Sequence, residues 1–364
     1  MKMIHCADLH LDSKLLAHLN TEQARERGME IVNTFQRMVE YAAKNQVKAI
    51  LIAGDLFDTK NISAVVRNAV RDAILFHPAI DFFYLKGNHD QDNFLSHLEE
   101  IPINLKLFDS GWRTYYYGNI AISGAESTKE NQISLAGQLS LAQDQVNIVL
   151  LHGQETEYGA QEDEQSISLR LLRQKGIDYL ALGHIHSYRK ERLDQRGIYC
   201  YSGCLEGRGF DECGVKGFVL LDIEEETGEI TSTFVPFAKR QLHNVEVLVD
   251  GCMTSSEIAR CVDAELNGRQ IPGKDLVKIV LVGTLDVECE KNLHYLEQHY
   301  QEYYYVVKLE DHTTLAVDYN DFVWDESLKG EYVRMLQGTD LPEEDKAEII
   351  RCGILALAGE EFVS

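Results

Sequence analysis

The chain has 364 residues, 45% hydrophobic and 26% charged, which fits a folded protein with one large and one smaller domain and excludes a disordered polymer. No apolar run approaches the roughly 20 residues needed to cross a bilayer, and the opening MKMIHCADLH turns polar too early for a signal peptide. A cytoplasmic protein with no membrane association is therefore expected. The formal charge of −24 argues against a chain that grips a phosphate-rich polymer along its whole surface. Residues 1–240 hold 34 acidic and 25 basic residues, whereas 241–364 hold 25 and 10. A nucleic-acid substrate would have to be held by local basic clusters, by metal ions or by a partner protein.

In chain order, the first 240 residues alternate apolar runs with helix-like stretches. VKAILIAGD (47–55), IDFFYLKGNHD (80–90), QVNIVLLHG (145–153) and DYLALGHIH (178–186) read as buried strands that end in polar residues. Residues 22–45 and 63–77 carry helical periodicity. This order predicts a layered α/β core with its site at the sheet edge. GIYCYSG and GFVLLDIEEETGEITSTFVPF read as consecutive antiparallel strands, with a turn at Glu226-Thr227-Gly228. Beyond about residue 240 the pattern becomes strand, helix, strand, helix (292–303), strand, which predicts a small α+β domain over 241–330. Residues 331–364 read as a helical, acidic tail. The eight cysteines form no CxxC pair and no zinc-ribbon spacing, so they read as buried thiols in a reducing compartment, Cys200 and Cys204 among them.

Five short motifs place metal-capable side chains after apolar strands: Asp8-Leu9-His10, Gly54-Asp55, Gly87-Asn88-His89-Asp90, His152-Gly153 and Gly183-His184-Ile185-His186. Each alone is as consistent with a turn or a satisfied core residue. Together, in this order, they hold five of the 13 histidines. Strand alternation lets Asp8 and His10 reach one ion, as it does His184 and His186; where a strand has ended, two such partners split between neighbouring ions. Asp8, His10, Asp55, Asn88, His152, His184 and His186 are too many for one four-coordinate ion and suit two sharing a carboxylate. Imidazoles mixed with carboxylates favour Mn²⁺, Fe²⁺, Zn²⁺ or Co²⁺ over Mg²⁺ or Ca²⁺.

The series DxH, GD, GNHD, HG and GHxH resembles the calcineurin-like metallophosphoesterase superfamily. ADLHLDS (7–13) and YCYSGCLEGRGFDECGVKGFVLLDI (199–223) are similar to the SbcD-type DNA repair exonucleases. The resemblance implies a metallophosphoesterase sandwich over residues 1–240, a capping domain over 241–330 and two divalent ions, foremost Mn²⁺. It also implies a DNA substrate, an SMC-like ATPase of the SbcC type as partner, and a homodimer. Asp8, His10, Asp55 and His186 would bind the first metal; Asp55 would bridge to a second completed by Asn88, His152 and His184. His89 would contact the scissile phosphate and protonate or stabilise the leaving oxygen.

Asp90 reads as orienting His89 or capping a turn, and Asp58 as a polar neighbour of the site or a plain loop carboxylate. Arg208 reads as approaching substrate or pairing with Asp211 or Glu212, and Asp12 stands without a role. Two other functions fit the sequence. One is a small-molecule or cyclic-nucleotide phosphodiesterase, favoured by the acidity; GDLFDT and GNHD depart from the GDxxDRG and GNHE of the superfamily's protein phosphatases. The other is a non-catalytic scaffold for an ATPase partner.

Overall fold

The apolar runs become strands covered on both faces, as their unbroken hydrophobicity demands; every residue of Ala49–Ala53 is buried. The structure is a computed structural model that describes residues 1–14, 19–91, 94–128, 131–157 and 166–358. It divides into two units, Met1–Gln241 and Leu242–Ser364.

The first unit begins with β1 (Lys2–Cys6), α1 (Thr21–Lys44), β2 (Ala49–Ala53), α2 (Ala64–Leu75), β3 (Asp81–Leu85) and β4 (Leu105–Leu107). It continues through β5 (Arg113–Tyr117), β6 (Ile120–Gly124), α3 (Gln132–Gln138), β7 (Val146–His152), β8 (Gln154–Thr156), β9 (Ser166–Ser168) and α4 (Leu169–Leu172). It closes with β10 (Tyr179–Gly183), β11 (Arg189–Arg192), β12 (Ile198–Tyr201), β13 (Gly217–Ile223) and β14 (Ile230–Pro236).

Two six-stranded sheets result, ordered β14-β13-β1-β2-β3-β4 and β11-β12-β10-β7-β6-β5. Strands β1 to β4 run parallel, as do β6, β7, β10 and β12. Met3, Leu51 and Phe83 of the first sheet share a buried cluster with Ile148, Leu150 and Ala181 of the second. Phe35, Met38 and Val70 of α1 and α2 cover the first sheet's other face, against Ile4, Ile50 and Phe82. Leu135, Leu169 and Leu172 of α3 and α4 cover the second, against Val149 and Leu180. The layers are thus helix, sheet, sheet, helix, the layered α/β sandwich expected from the sequence.

One expected pairing is corrected. β13 and β14 form the antiparallel hairpin, turning at Gly228 with φ +77°. β12, from GIYCYSG, instead joins the other sheet, parallel to β10 and antiparallel to β11. Its Tyr199 and Tyr201 pack beneath α4 with Leu180 and Leu182, so burial rather than sequence proximity chooses its sheet.

Helix α1 starts at a reciprocal cap in which the Asn20 side chain accepts from Gln23 N and Gln23 Oε1 accepts from Asn20 N. Further along, Glu30 is buried among Arg27, Lys239 and Arg240, with Arg240 Nε 3.0 Å from its carboxylate. Burial opposes its ionisation, but the hydrogen bonds from Arg240, Lys239 and Arg27 outweigh this and hold Glu30 at about 2. A carboxylate lowered in the folded state stabilises the fold above its unfolded value of about 4.5 and loses that contribution as pH falls toward 2. Urea midpoints of the wild type should therefore drop between about pH 5 and pH 2, and Glu30→Gln should flatten that part of the curve.

The second unit alternates β15 (Leu242–Leu248), α5 (Ser255–Arg269), β16 (Leu276–Asp286), α6 (Leu293–Gln301) and β17 (Val306–Ala316). Its three strands are parallel, in the order β15-β16-β17. Val245, Val247, Ile279 and Leu281 meet Ile258, Val262, Leu296 and Tyr300 of the two helices in one core. Helices α7 (Leu328–Gln337) and α8 (Glu343–Ala358) close a small cluster around Phe322, Val333 and Ile350. Residues 359–364 of the predicted tail lie outside the described residues.

Candidate metal centre

The five motifs leave the C-terminal ends of β1, β2, β3, β7 and β10, which the two sheets present at one edge. The strand pleat does not pair Asp8 with His10 as the alternation predicted. β1 ends at Cys6, and Asp8 (φ +51°), His10 (φ +43°) and Asp55 (φ +52°) are all left-handed. Such conformations are costly away from glycine, though Asp and His tolerate them better than most residues. They are held by a backbone ladder: Asp8 N, His10 N and Leu11 N donate to the carbonyls of Gly54, Asp55 and Leu56 at 3.1, 3.0 and 2.9 Å.

Two glycines exist for close approach. A Cβ on Gly54 would sit 2.1 Å from His152 Nδ1, and one on Gly87 2.2 Å from Asp55 Oδ1. Any larger residue would push His152 or Asp55 out of place.

Three imidazoles are then oriented alike. His10 Nδ1 lies 2.9 Å from Asp58 Oδ1, His186 Nδ1 2.6 Å from Glu212 Oε1, and His152 Nδ1 2.9 Å from the Ala53 carbonyl. Each acceptor fixes the proton on Nδ1 and leaves Nε2 as a lone pair. Those Nε2 atoms converge: His10 and His186 at 3.2 Å, His152 on Asn88 Oδ1 at 2.9 Å and on Asp55 Oδ2 at 3.3 Å. Asp55 Oδ2 is also 3.8 Å from His10 Nε2, while its Oδ1 accepts from His89 N at 2.9 Å. One carboxylate oxygen thus stands between two imidazoles.

Donor atoms of Asp8, His10 and His186 lie within 4.8 Å of one another, as do those of Asp8, Asp55 and His152, and those of His10, Asp58 and His89. Asp8 and Asp55 are each about 1% exposed. Burial raises Asp8 above the usual carboxylate range, against the pull of His152, His186 and His10. Burial also opposes charging His152, but the hydrogen bond and charge of Asp55, then the charge of Asp8, prevail and lift it to about 9, so its Nε2 takes up a proton toward Asp55 unless a cation holds that lone pair. Two buried carboxylates and facing lone pairs form a site that calls for positive charge, and the N/O donor set fits divalent transition ions.

His184 parts from His186. Its φ of +102° breaks the strand alternation, and its ring packs edge-on to His152 with centroids 5.5 Å apart. Its backbone N–H donates to both Asp8 oxygens at 2.9 and 3.1 Å. His89 is more open, with a side chain 49% exposed and Nδ1 3.4 Å from Asp58 Oδ1. Asp58 therefore faces two imidazoles, and it also accepts from Ser13 Oγ at 3.0 Å and faces Arg208 at 3.5 Å. Arg208 grips Glu212 through Nε and a terminal nitrogen at 3.1 and 2.7 Å. Glu212, buried and held well below the usual carboxylate range against its burial by His186 and Arg208, is the residue sequence reasoning underrated. Its one sequence signal was the i, i+4 spacing from Arg208. Asp12 accepts from Ser63 N and Oγ at 2.7 and 3.0 Å, steadying the start of α2.

Asp90 takes the capping place. Its carboxylate accepts from Leu56 N (3.2 Å), Phe57 N (2.9 Å) and Gly87 N (2.9 Å), tying two ligand loops together. Asp90→Ala would strand these backbone donors, at about 1–3 kcal/mol for each one left buried without a partner. A loss of about 3 kcal/mol in urea-unfolding free energy is expected, against a near-wild-type value for the exposed Asp211→Ala.

Residues 1–188 match the calcineurin-like phosphoesterase family, and the chain belongs to it. It is therefore a metal-dependent hydrolase of phosphate esters. Among its relatives is an uncharacterised metallophosphoesterase, YhaO of Bacillus subtilis, 27% identical over 248 residues that cover 64% of this chain and 60% of that protein. The DNA double-strand break repair protein Mre11 of Sulfolobus acidocaldarius is 24% identical over 326 residues, 85% of this chain and 82% of that one. The SbcD component of the nuclease SbcCD of Staphylococcus epidermidis is 28% identical over 289 residues, 68% of this chain and 72% of that one. The chain thus spans less than two thirds of the Bacillus protein and more of the other two.

Proposed function

We propose that the chain is a two-metal DNA exonuclease/endonuclease, the nuclease component of a complex with an SMC-like ATPase of the SbcC type. The observation that carries the metal reading is the shared orientation of His10, His152 and His186, each with Nδ1 on an acceptor and Nε2 turned toward Asp8 and Asp55. The DNA reading rests on the likeness to Mre11 and to the SbcD component of SbcCD. Asp8, His10, Asp55 and His186 would hold one ion, and Asp55, Asn88, His152 and His184 the other, with Mn²⁺ foremost. When bound, such a pair makes water nucleophilic near neutral pH and offsets charge on the phosphoryl oxygens.

The chain's own groups supply the rest. Asp58 and Glu212 hold His10 and His186 in one tautomer, and Asp90 fixes the loops that carry Asp55 and Asn88. His89 stands exposed with Asp58 behind its Nδ1, leaving Nε2 to deliver a proton to the departing oxygen. In this reading residues 241–330 serve as a DNA-capping domain that selects which DNA ends are cleaved, the acidic helical tail docks on the partner, and the enzyme works as a cytoplasmic homodimer. No helix among the described residues is long and apolar enough to cross a membrane.

The test is a nuclease assay on double-stranded ends and hairpins, comparing Mn²⁺ with Mg²⁺, with and without the ATPase. Bis-p-nitrophenyl phosphate serves as a small-substrate control. Mn²⁺-dependent cleavage of DNA is the expected result. Hydrolysis of the reporter with no DNA cleavage under any condition would sink the DNA reading and favour a small phosphodiester, which the charge of −24 also favours.

A further inference from the structure

The second unit holds a pair of thiols that the phosphoesterase chemistry does not use. Cys252 lies in the turn after β15, next to Gly251 (φ +72°), and Cys261 lies on α5. Their sulfurs are 3.7 Å apart. Both line a cavity of about 370 Å³, together with Asp250, Glu257 and Arg260. Cys252 is buried, Cys261 is partly exposed, and both are free thiols.

We propose that Cys252 and Cys261 form a reversible dithiol–disulfide site, oxidised by a small peroxide that enters through this cavity. A disulfide needs the sulfurs about 1.7 Å closer than they stand. Thiol rotation and a small shift of the turn at Gly251, which precedes the N-cap Thr254, can supply this. The buried Cys289 belongs to the same core cluster and is the natural competitor.

The chemistry balances. The partly exposed Cys261 sulfur attacks the peroxide O–O bond, becomes a sulfenic acid and releases one water. The Cys252 sulfur then attacks the Cys261 sulfur, the S–O bond breaks, and a second water leaves as the disulfide forms. Two thiols are oxidised by two electrons and one peroxide is reduced. Burial and the contact with Cys261 push the Cys252 thiol up to about 11, which suits it to the second, proximity-driven step rather than the first. Closing the bond pins the middle of α5 to the turn after β15, across the charge-lined cavity.

The full-length protein is treated with hydrogen peroxide, blocked with an alkylating agent and digested with trypsin without reduction. Arg260 lies between the two cysteines, so trypsin separates residues 241–260 from 261–269 unless a disulfide joins them. The expected product is that joined pair, lighter by two hydrogens than the sum of its peptides and split by dithiothreitol. Cys252→Ser should lose the link and leave a Cys261 sulfenic acid that dimedone traps, and Cys289→Ser should oxidise as the wild type does. Absence of the joined pair, a link to Cys289 instead, or a Cys252→Ser protein with no trappable sulfenic acid would each overturn the assignment.

Discussion

Asp55→Asn is expected to fold as the wild type does and to lose both metal content and phosphodiester hydrolysis. Asparagine keeps the shape and a carbonyl oxygen that can still accept from His89 N, the 2.9 Å bond that now fixes Asp55 Oδ1. It removes the negative charge that stands 3.3 Å from His152 Nε2 and 3.8 Å from His10 Nε2. An amide N–H turned toward these lone pairs would satisfy one imidazole and repel a cation. If the ions contribute several kcal/mol of transition-state stabilisation, losing about 4–6 kcal/mol lowers kcat/KM by roughly 10³- to 10⁴-fold. Elemental analysis after gel filtration and reporter hydrolysis read the two effects separately, with circular dichroism as the control for folding. A variant that retains two ions per chain and a tenth of the activity would mean that Asp55 is not the shared ligand.

The gathering of these side chains was readable in sequence because it is built from short pieces, most of them an apolar strand, a glycine and a donor. Gly54 and Gly87 could be nothing larger beside His152 and Asp55, so these candidate positions carry a sequence mark of their own. The means by which Asp8 and His10 converge was not readable. The period-2 pleat brought Asp8 and His10 together for a reason the backbone does not use, because left-handed φ values and the ladder to Gly54, Asp55 and Leu56 do the positioning. Glu212 escaped notice because a carboxylate in GRGFDEC has no spacing rule that points to His186; only the fold brings the two within 2.6 Å. For the same reason Asp58, an ordinary loop acid in the text GDLFD, becomes the group facing His10, His89 and Arg208 together. The sheet assignment of β12 failed at a similar point, since pairing partners are chosen by which buried face a strand completes, here that of Tyr199 and Tyr201 with Leu180 and Leu182.

His89→Ala should separate chemistry from metal binding. The His89 side chain is 49% exposed, so its removal creates no cavity and stability should stay within about 0.5 kcal/mol of the wild type. Its backbone N–H, which holds Asp55, is unchanged by the substitution. Metal stoichiometry should therefore persist while turnover on DNA falls by about 10²- to 10⁴-fold, the span that a positioned general acid provides. The size of the loss should also depend on the leaving group. A sugar alkoxide needs a proton as it departs, whereas a nitrophenolate leaves without one, so the variant should be impaired far less on bis-p-nitrophenyl phosphate than on DNA. Asp58→Asn, which weakens the support behind His89 Nδ1 but also behind His10, should depress both substrates together. Equal losses on the two substrates for His89→Ala would show that the imidazole positions the phosphate rather than protonating the leaving oxygen, and loss of an ion would return it to the ligand set.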